Sequence, residues 1–113
     1  MKPFDSFGHA FRGIRDFIAC GTNSKIQAGG AFLIFITGIV LGFSTNDWIA
    51  IVICTGFVLS AEAMNTAVEE LANEVTEERK ERIRKVKDMA AGSVLISSLA
   101  SVVVAVLIVF RNL

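Results

Sequence analysis

Apolar residues recur in two ways along this chain, and the difference between them sets the expected architecture. Near the N-terminus, Phe4, Phe7, Phe11, Ile14 and the pair Phe17 and Ile18 return at three- and four-residue steps, while His9, Arg12, Arg15 and Asp16 occupy the opposite side. That spacing predicts an amphipathic helix over residues 3–20, lying flat on a membrane with its basic groups towards anionic head groups. Farther on the apolar residues run together without charge: Ile26 to Asn46, Trp48 to Ala61, and Met89 to Phe110. The first and last of these are long enough to cross a hydrocarbon core of about 30 Å. Three spans follow, at about 26–45, 47–72 and 87–110, and the whole chain, 1–113, reads as one domain. The expected fold is an all-α integral membrane protein, an N-terminal amphipathic surface helix plus three transmembrane helices.

The second span breaks the rule of its neighbours, because it carries a polar stripe. On a helix turning 100° per residue, Glu62, Asn65, Glu69 and Asn73 fall within an arc of about 80°. A charged carboxylate at membrane depth costs roughly 3 kcal/mol on insertion scales, so such a residue is by default a functional one. Glu62 and Glu69 lie about 10 Å apart along the axis, room for a reacting hydroxyl at one end and a metal-bound phosphate at the other.

Smaller signals refine the elements. Asn23 or Ser24 is a candidate N-cap for the first span. Gly38 and Gly42 form a small-xxx-small pair suited to close helix approach, and Ser93, Ser97, Ser101 and Ala105 form a comparable seam on the third span. Phe43 and Trp48 stand where aromatic anchors are expected at a membrane interface. Between the second and third spans, Glu78 with Arg82 and Glu81 with Lys85 have the (i, i+4) order that supports a helix. Lys87 and Asp88 lie where the chain re-enters the membrane, opposite the lower end of the acidic stripe.

Composition agrees with a membrane protein: 53% of the 113 residues are hydrophobic, and the mean hydropathy is +0.60. The net charge is zero, yet ten of the eleven Lys and Arg residues precede the first span or lie between the second and third. The positive-inside rule then puts the N-terminus and the Asn73–Asp88 segment in the cytoplasm. Cys20, near the cytoplasmic surface, and Cys54, within the second span, belong to different depths and read as buried structural thiols rather than a disulfide. The first twenty residues lack the continuous apolar core of a secretory signal. No nucleic-acid partner is expected.

The absent motifs narrow the chemistry. There is no phosphate-binding Gly-rich loop of the G-x-x-x-x-G-K-[ST] or G-x-G-x-x-G type and no G-x-S-x-G elbow. One His and two distant Cys make zinc and thiol chemistry improbable. Paired carboxylates, an Asn and an interfacial Lys-Asp remain. Carboxylates bind Mg²⁺, Mg²⁺ brings phosphates, and a second carboxylate accepts a hydroxyl proton, which together is the minimal set for phosphoryl transfer. The same stripe also fits a small oligomeric proton-coupled exporter in which Glu62 exchanges a proton for a cation.

The sequence Glu62-Ala-Met-Asn65-Thr66-Ala67-Val-Glu69, followed eighteen residues later by Lys87-Asp88-Met-Ala-Ala, closely resembles the signature of the prokaryotic diacylglycerol kinase family, which includes the undecaprenol kinases. The resemblance extends over nearly the whole chain, from Gly8-His9-Ala10-Phe11 and Gly13 onwards. It implies a homotrimer in the bacterial inner membrane, with sites combining residues of adjacent subunits, that uses ATP and Mg²⁺ to phosphorylate the hydroxyl of a membrane lipid, undecaprenol or diacylglycerol. Carried across by position, Glu62 is the general base and, with Asn65, contacts the lipid substrate. Glu69 holds Mg²⁺ on ATP; Lys87 and Asp88 serve the nucleotide; Glu78, Arg79 and Lys80 form a loop near it; and His9 lies where the surface helix approaches ATP. One departure stands out. The family's second acidic metal ligand aligns with Gly21, so Asn23, Asp16 or water must replace it, or the chain is a catalytically weak member.

Overall fold

The computed structural model describes residues 3–20 and 22–113. They form four helices: α1 (Pro3–Cys20), α2 (Thr22–Leu41), α3 (Thr45–Val75) and α4 (Glu81–Asn112). Three of them, α2, α3 and α4, are long and apolar enough to cross a membrane. At 1.5 Å per residue α3 and α4 are each about 46–48 Å long, so both overrun a ~30 Å hydrocarbon core by several turns. Gly21, the position of the missing acidic ligand, lies outside the described residues, as does the side chain of Asn23.

Where each long helix stops is dictated locally. Gly42 ends α2 because it accepts a left-handed φ of +73°, a conformation costly to any residue with a Cβ. Its N–H and that of Phe43 both reach the Gly38 carbonyl, at 2.9 and 3.0 Å. Two residues later a capping box starts α3: the Asp47 N–H donates to Ser44 Oγ at 3.2 Å, and the Ser44 N–H donates to Asp47 Oδ2 at 3.0 Å. This reciprocal pair satisfies two of the backbone donors that a helix start leaves open. At the far end, the Thr76 backbone is extended and its N–H closes on Ala72 O at 3.1 Å, while Thr76 Oγ1 accepts from Glu78 N–H at 3.0 Å. Five residues, 76–80, then reverse the chain into α4.

α3 and α4 are the principal packed pair, and they run antiparallel. Cross-links at successive levels show the register: Asn112 Nδ2 donates to Asp47 Oδ2 at 3.2 Å, Ser101 Oγ to Cys54 O at 3.4 Å, and Lys87 Nζ to Asn73 Oδ1 at 2.7 Å. The core sits at the Ser44 end, where Phe43, Ile51 and Ile108 are buried against Phe35, Trp48 and Val104. Trp48 stacks on Phe35 and tilts against Phe43, each at a centroid distance of 5.5 Å.

These contacts correct several expectations. Phe43 is buried and Trp48 faces inward, so the two rings form the core rather than an interfacial belt. Gly42 works as a helix stop, and Gly38 alone makes the close approach: a Cβ there would lie 2.6 Å from Phe43 Cδ2 and 2.7 Å from Trp48 Cη2. The ion pairs also differ. Glu78 lies in the turn before α4, and Arg84 instead bonds Glu81 three residues back and Asp88 four residues on. Ser93 turns to its own helix, donating to Ala90 O at 2.7 Å, and in the expected seam Ser101 bonds across to α3. Ser24 lies inside α2 rather than at its cap. Both cysteines are free, but Cys20 is exposed at the end of α1 and Cys54 only half-buried, so neither is the fully buried thiol expected.

Candidate functional site

The polar stripe of α3 is divided by burial. Glu62 and Asn65 are 3% and 7% exposed, while Glu69 and Asn73, one and two turns farther on, are open. α2 packs beside the buried half and brings the Gln27 side chain next to the Glu62 carboxylate. Thr66, on the next turn, caps back onto its own helix, its Oγ1 donating to Glu62 O at 3.0 Å.

Asn65 links the two halves. Its Nδ2 donates to Glu69 Oε1 at 3.3 Å, which turns its carbonyl away from Glu69. Among the described residues nothing donates to that carbonyl, although it is fully buried. An orphaned buried acceptor costs about 1–3 kcal/mol, and in a stable protein it marks a place where a donor arrives from elsewhere. A hydroxyl is such a donor.

The exposed half meets the start of α4. Lys87 Nζ donates to Asn73 Oδ1 at 2.7 Å, so the ammonium is held one helical turn beyond Glu69. Asp88 faces its own helix, accepting from Arg84 Nη1 at 2.7 Å. Arg84 also bonds Glu81, and this holds the Glu81 carboxyl below its ordinary range. Glu78, Arg79 and Lys80 are exposed in the connecting turn. His9 is exposed on α1, and among the described residues no hydrogen bond or ion pair joins it to the stripe. The structure therefore brings Glu62, Asn65, Glu69 and Lys87 to one face, and leaves His9 and the 78–80 turn peripheral to it.

Two hollows flank this face. A groove of about 580 Å³ between α1 and α3 is lined by Ala10, Gly13, Asp16, Met64, Thr66 and Glu70, among others. A smaller, half-open hollow of about 190 Å³, bordered by α2, α3 and α4, is lined by Gln27, Thr55, Val58, Ser98 and Ser101 and by apolar side chains. Asp16, one of the residues considered as a replacement acid, thus faces the groove. Gln27 is the participant that the sequence reading missed as a site residue. Its approach to Glu62 depends on which faces of α2 and α3 meet, which spacing along the chain does not give.

The donor set can be tested against a metal. Among the described residues no group of three or more His, Cys, Asp or Glu side chains is placed to hold an ion. Glu69 is an exposed carboxylate with one oxygen engaged by Asn65 and the other open. That is too little for a resident metal, and it fits Mg²⁺ carried in by a nucleotide, since this ion binds through one or two carboxylates and completes its shell with phosphate and water.

Comparison with known proteins gives two findings. The family model for prokaryotic diacylglycerol kinase matches residues 8–109. Undecaprenol kinase of Bacillus subtilis (strain 168) is 31% identical over 110 residues, covering 97% of this chain and 89% of that protein.

Proposed function

The chain belongs to the prokaryotic diacylglycerol kinase family and is a lipid kinase, and from that premise we propose that it transfers the γ-phosphoryl group of ATP to the hydroxyl of a membrane lipid at the cytoplasmic face. The observation that carries this reading is the division of the α3 stripe: a buried Glu62 and Asn65 beside apolar hollows, and an exposed Glu69 on the same face. One half is suited to an acceptor that lives in the membrane, the other to a donor that arrives from water. Family membership removes the reason to prefer an exporter.

In the proposed reaction the lipid hydroxyl donates to the vacant Asn65 carbonyl or to the Glu62 carboxylate, which fixes its oxygen near the phosphoryl group. That oxygen attacks the γ-phosphorus, the bond from phosphorus to the β,γ-bridging oxygen breaks, ADP leaves, and the hydroxyl proton passes to Glu62. Gln27 steadies the Glu62 carboxylate. Glu69 holds the nucleotide's Mg²⁺, which supplies neutralisation of phosphate charge. Lys87, aligned by the family signature, neutralises further charge, and Asp88 with the exposed Glu78, Arg79 and Lys80 turn completes the nucleotide environment, approached from α1 by His9. Undecaprenol is the favoured acceptor on the strength of the relative's name, with diacylglycerol the alternative. The positive-inside distribution supports a cytoplasmic N-terminus in the inner membrane. The exposed Phe7, Phe11, Ile14 and Ile18 of α1 support a surface helix bedded in the inner leaflet. The broad exposed apolar faces of α2 and α4 support burial against further copies, a homotrimer in this reading.

The test is direct. Purified protein in detergent micelles, given Mg-ATP and either undecaprenol or diacylglycerol, is expected to yield ADP and the corresponding lipid phosphate. Glu62→Gln is expected to keep the melting temperature and to lower turnover by at least about a hundredfold, the usual weight of a general base. Full turnover in that variant removes Glu62 from the role, and no lipid phosphate from either acceptor removes the reading.

A further inference from the structure

Lys87 stands on a helix different from the stripe it faces, and a lysine ammonium on a four-carbon stem has no fixed position of its own. Such a side chain has many rotamers, and a group that must meet a phosphate loses that freedom on binding unless it has been restrained beforehand. In this structure the restraint is visible. Asn73 Oδ1 accepts from Lys87 Nζ at 2.7 Å across the α3–α4 interface.

Asn73 occupies the fourth position of the stripe, one turn after Glu69, and the family signature of Glu62, Asn65, Glu69, Lys87 and Asp88 does not include it. An ammonium has three N–H donors and no acceptor. The bond to Asn73 uses one donor and leaves two for phosphate oxygens. The contact also defines where α4 begins to pack: Asn73 is three residues before the end of the α3 turn at Thr76, and Lys87 is two turns into α4, so the pair spans the reversal at its base. Arg84 meanwhile engages Asp88 at 2.7 Å, which keeps the neighbouring carboxylate from taking the Lys87 ammonium as its ion-pair partner.

We propose that Asn73 is a positioning residue for phosphoryl transfer, holding the Lys87 ammonium at the exposed end of the stripe so that it meets the nucleotide phosphates already oriented. The inference rests on the nucleotide role assigned to Lys87 above. Asn73 touches neither substrate nor the reacting atoms; it acts through Lys87, and its removal affects nucleotide affinity before it affects anything else.

The experiment compares Asn73→Ala, Asn73→Asp, Lys87→Ala and the double variant Asn73→Ala with Lys87→Ala, each purified in micelles. Mg-ATP KM, lipid KM, kcat and melting temperature are measured for all four. Asn73→Ala is expected to raise the Mg-ATP KM about three- to tenfold, less than the full weight of a hydrogen bond to a charged group because the position is exposed to water, with lipid KM and melting temperature unchanged. Asn73→Asp still offers an acceptor and is expected to stay within about twofold of the parent. In the double variant the Mg-ATP KM is expected to match Lys87→Ala alone, since one contact is not lost twice. A raised KM in Lys87→Ala beside a parental KM in Asn73→Ala overturns the positioning role and leaves the nucleotide reading of Lys87 standing. Effects that multiply independently in the double variant also overturn it. A parental KM in Lys87→Ala overturns the nucleotide reading itself, and the positioning role falls with it. Should Asn73→Ala not purify, Asn73→Leu carries the same expectations.

Discussion

Asn65 shows how a single side chain can be satisfied at one end and left open at the other. Its amide nitrogen reaches Glu69 at 3.3 Å, and its carbonyl is buried without a donor among the described residues. If the carbonyl serves the acceptor hydroxyl, replacing the amide with an apolar side chain of similar size removes a group the empty protein does not need. Asn65→Leu is therefore expected to leave the melting temperature in micelles equal to or above that of the parent and to raise the lipid KM at least about tenfold, one hydrogen bond to a well-oriented group. An unchanged lipid KM would assign Asn65 to helix packing alone. The stripe itself was readable from the 100° turn of a helix, including its four members. What spacing did not reveal was the partition: Glu62 and Asn65 are buried and Glu69 is not, because burial depends on where α1 and α2 stop covering α3. Gln27 was hidden for the same reason.

Among the elements, the three apolar runs announced their helices, and the punctuation between them was harder to read. Ser44-Thr45-Asn46-Asp47 is a capping box that starts α3. The 76–80 break leaves Glu78 outside α4 and so removes its pairing with Arg82, while Glu81, inside the helix, pairs with Arg84 three residues on instead of Lys85, and Arg84 also bonds Asp88. Residues separated by four in the sequence form a helical pair only if both lie in the helix. Gly38 and Gly42 had looked like equals, and the fold gives them different work. Adding a Cβ at Gly38 places it within 2.9 Å of three ring atoms of Phe43 and Trp48, in the best-packed part of the molecule. Gly38→Ala is expected to destabilise the protein by about 1–3 kcal/mol, the usual effect of overpacking a core. Gly29, also in α2, has nothing within 4 Å of the corresponding point, and Gly29→Ala is expected to be neutral or slightly stabilising. Denaturation of the two variants in mixed micelles makes the comparison, and equal effects would show that the Trp48 contact is not the reason for glycine at 38.

The molecule as a whole is an antiparallel pair, α3 and α4, secured at opposite ends for different purposes. At the 76–80 end lie the stripe and the Asn73–Lys87 contact. At the other end Asp47, 3% exposed, accepts from Ser44 N–H and from Asn112 Nδ2 and forms an ion pair with Arg111. Arg111 was legible only as the one basic residue beyond the third span, a marker of orientation; its partner could not be read because 64 residues separate them. This clasp joins the start of α3 to the end of α4 about 40 Å along the α3 axis from Asn73, by the 1.5 Å rise per residue. A contact so remote should govern how firmly the pair is closed and should leave the reacting groups alone. Asp47→Ala removes the acceptor for all three partners and is expected to cost about 1–3 kcal/mol. Arg111→Ala is expected to cost under about 1 kcal/mol, because its side chain is largely exposed and Asp47 keeps its other two partners. In both variants the Mg-ATP and lipid KM values, measured well below the melting temperature, should equal those of the parent. A raised KM in Asp47→Ala without loss of stability would mean that the clasp sets the register of α4, and with it the height at which Lys87 meets the stripe, rather than simply holding the two helices together.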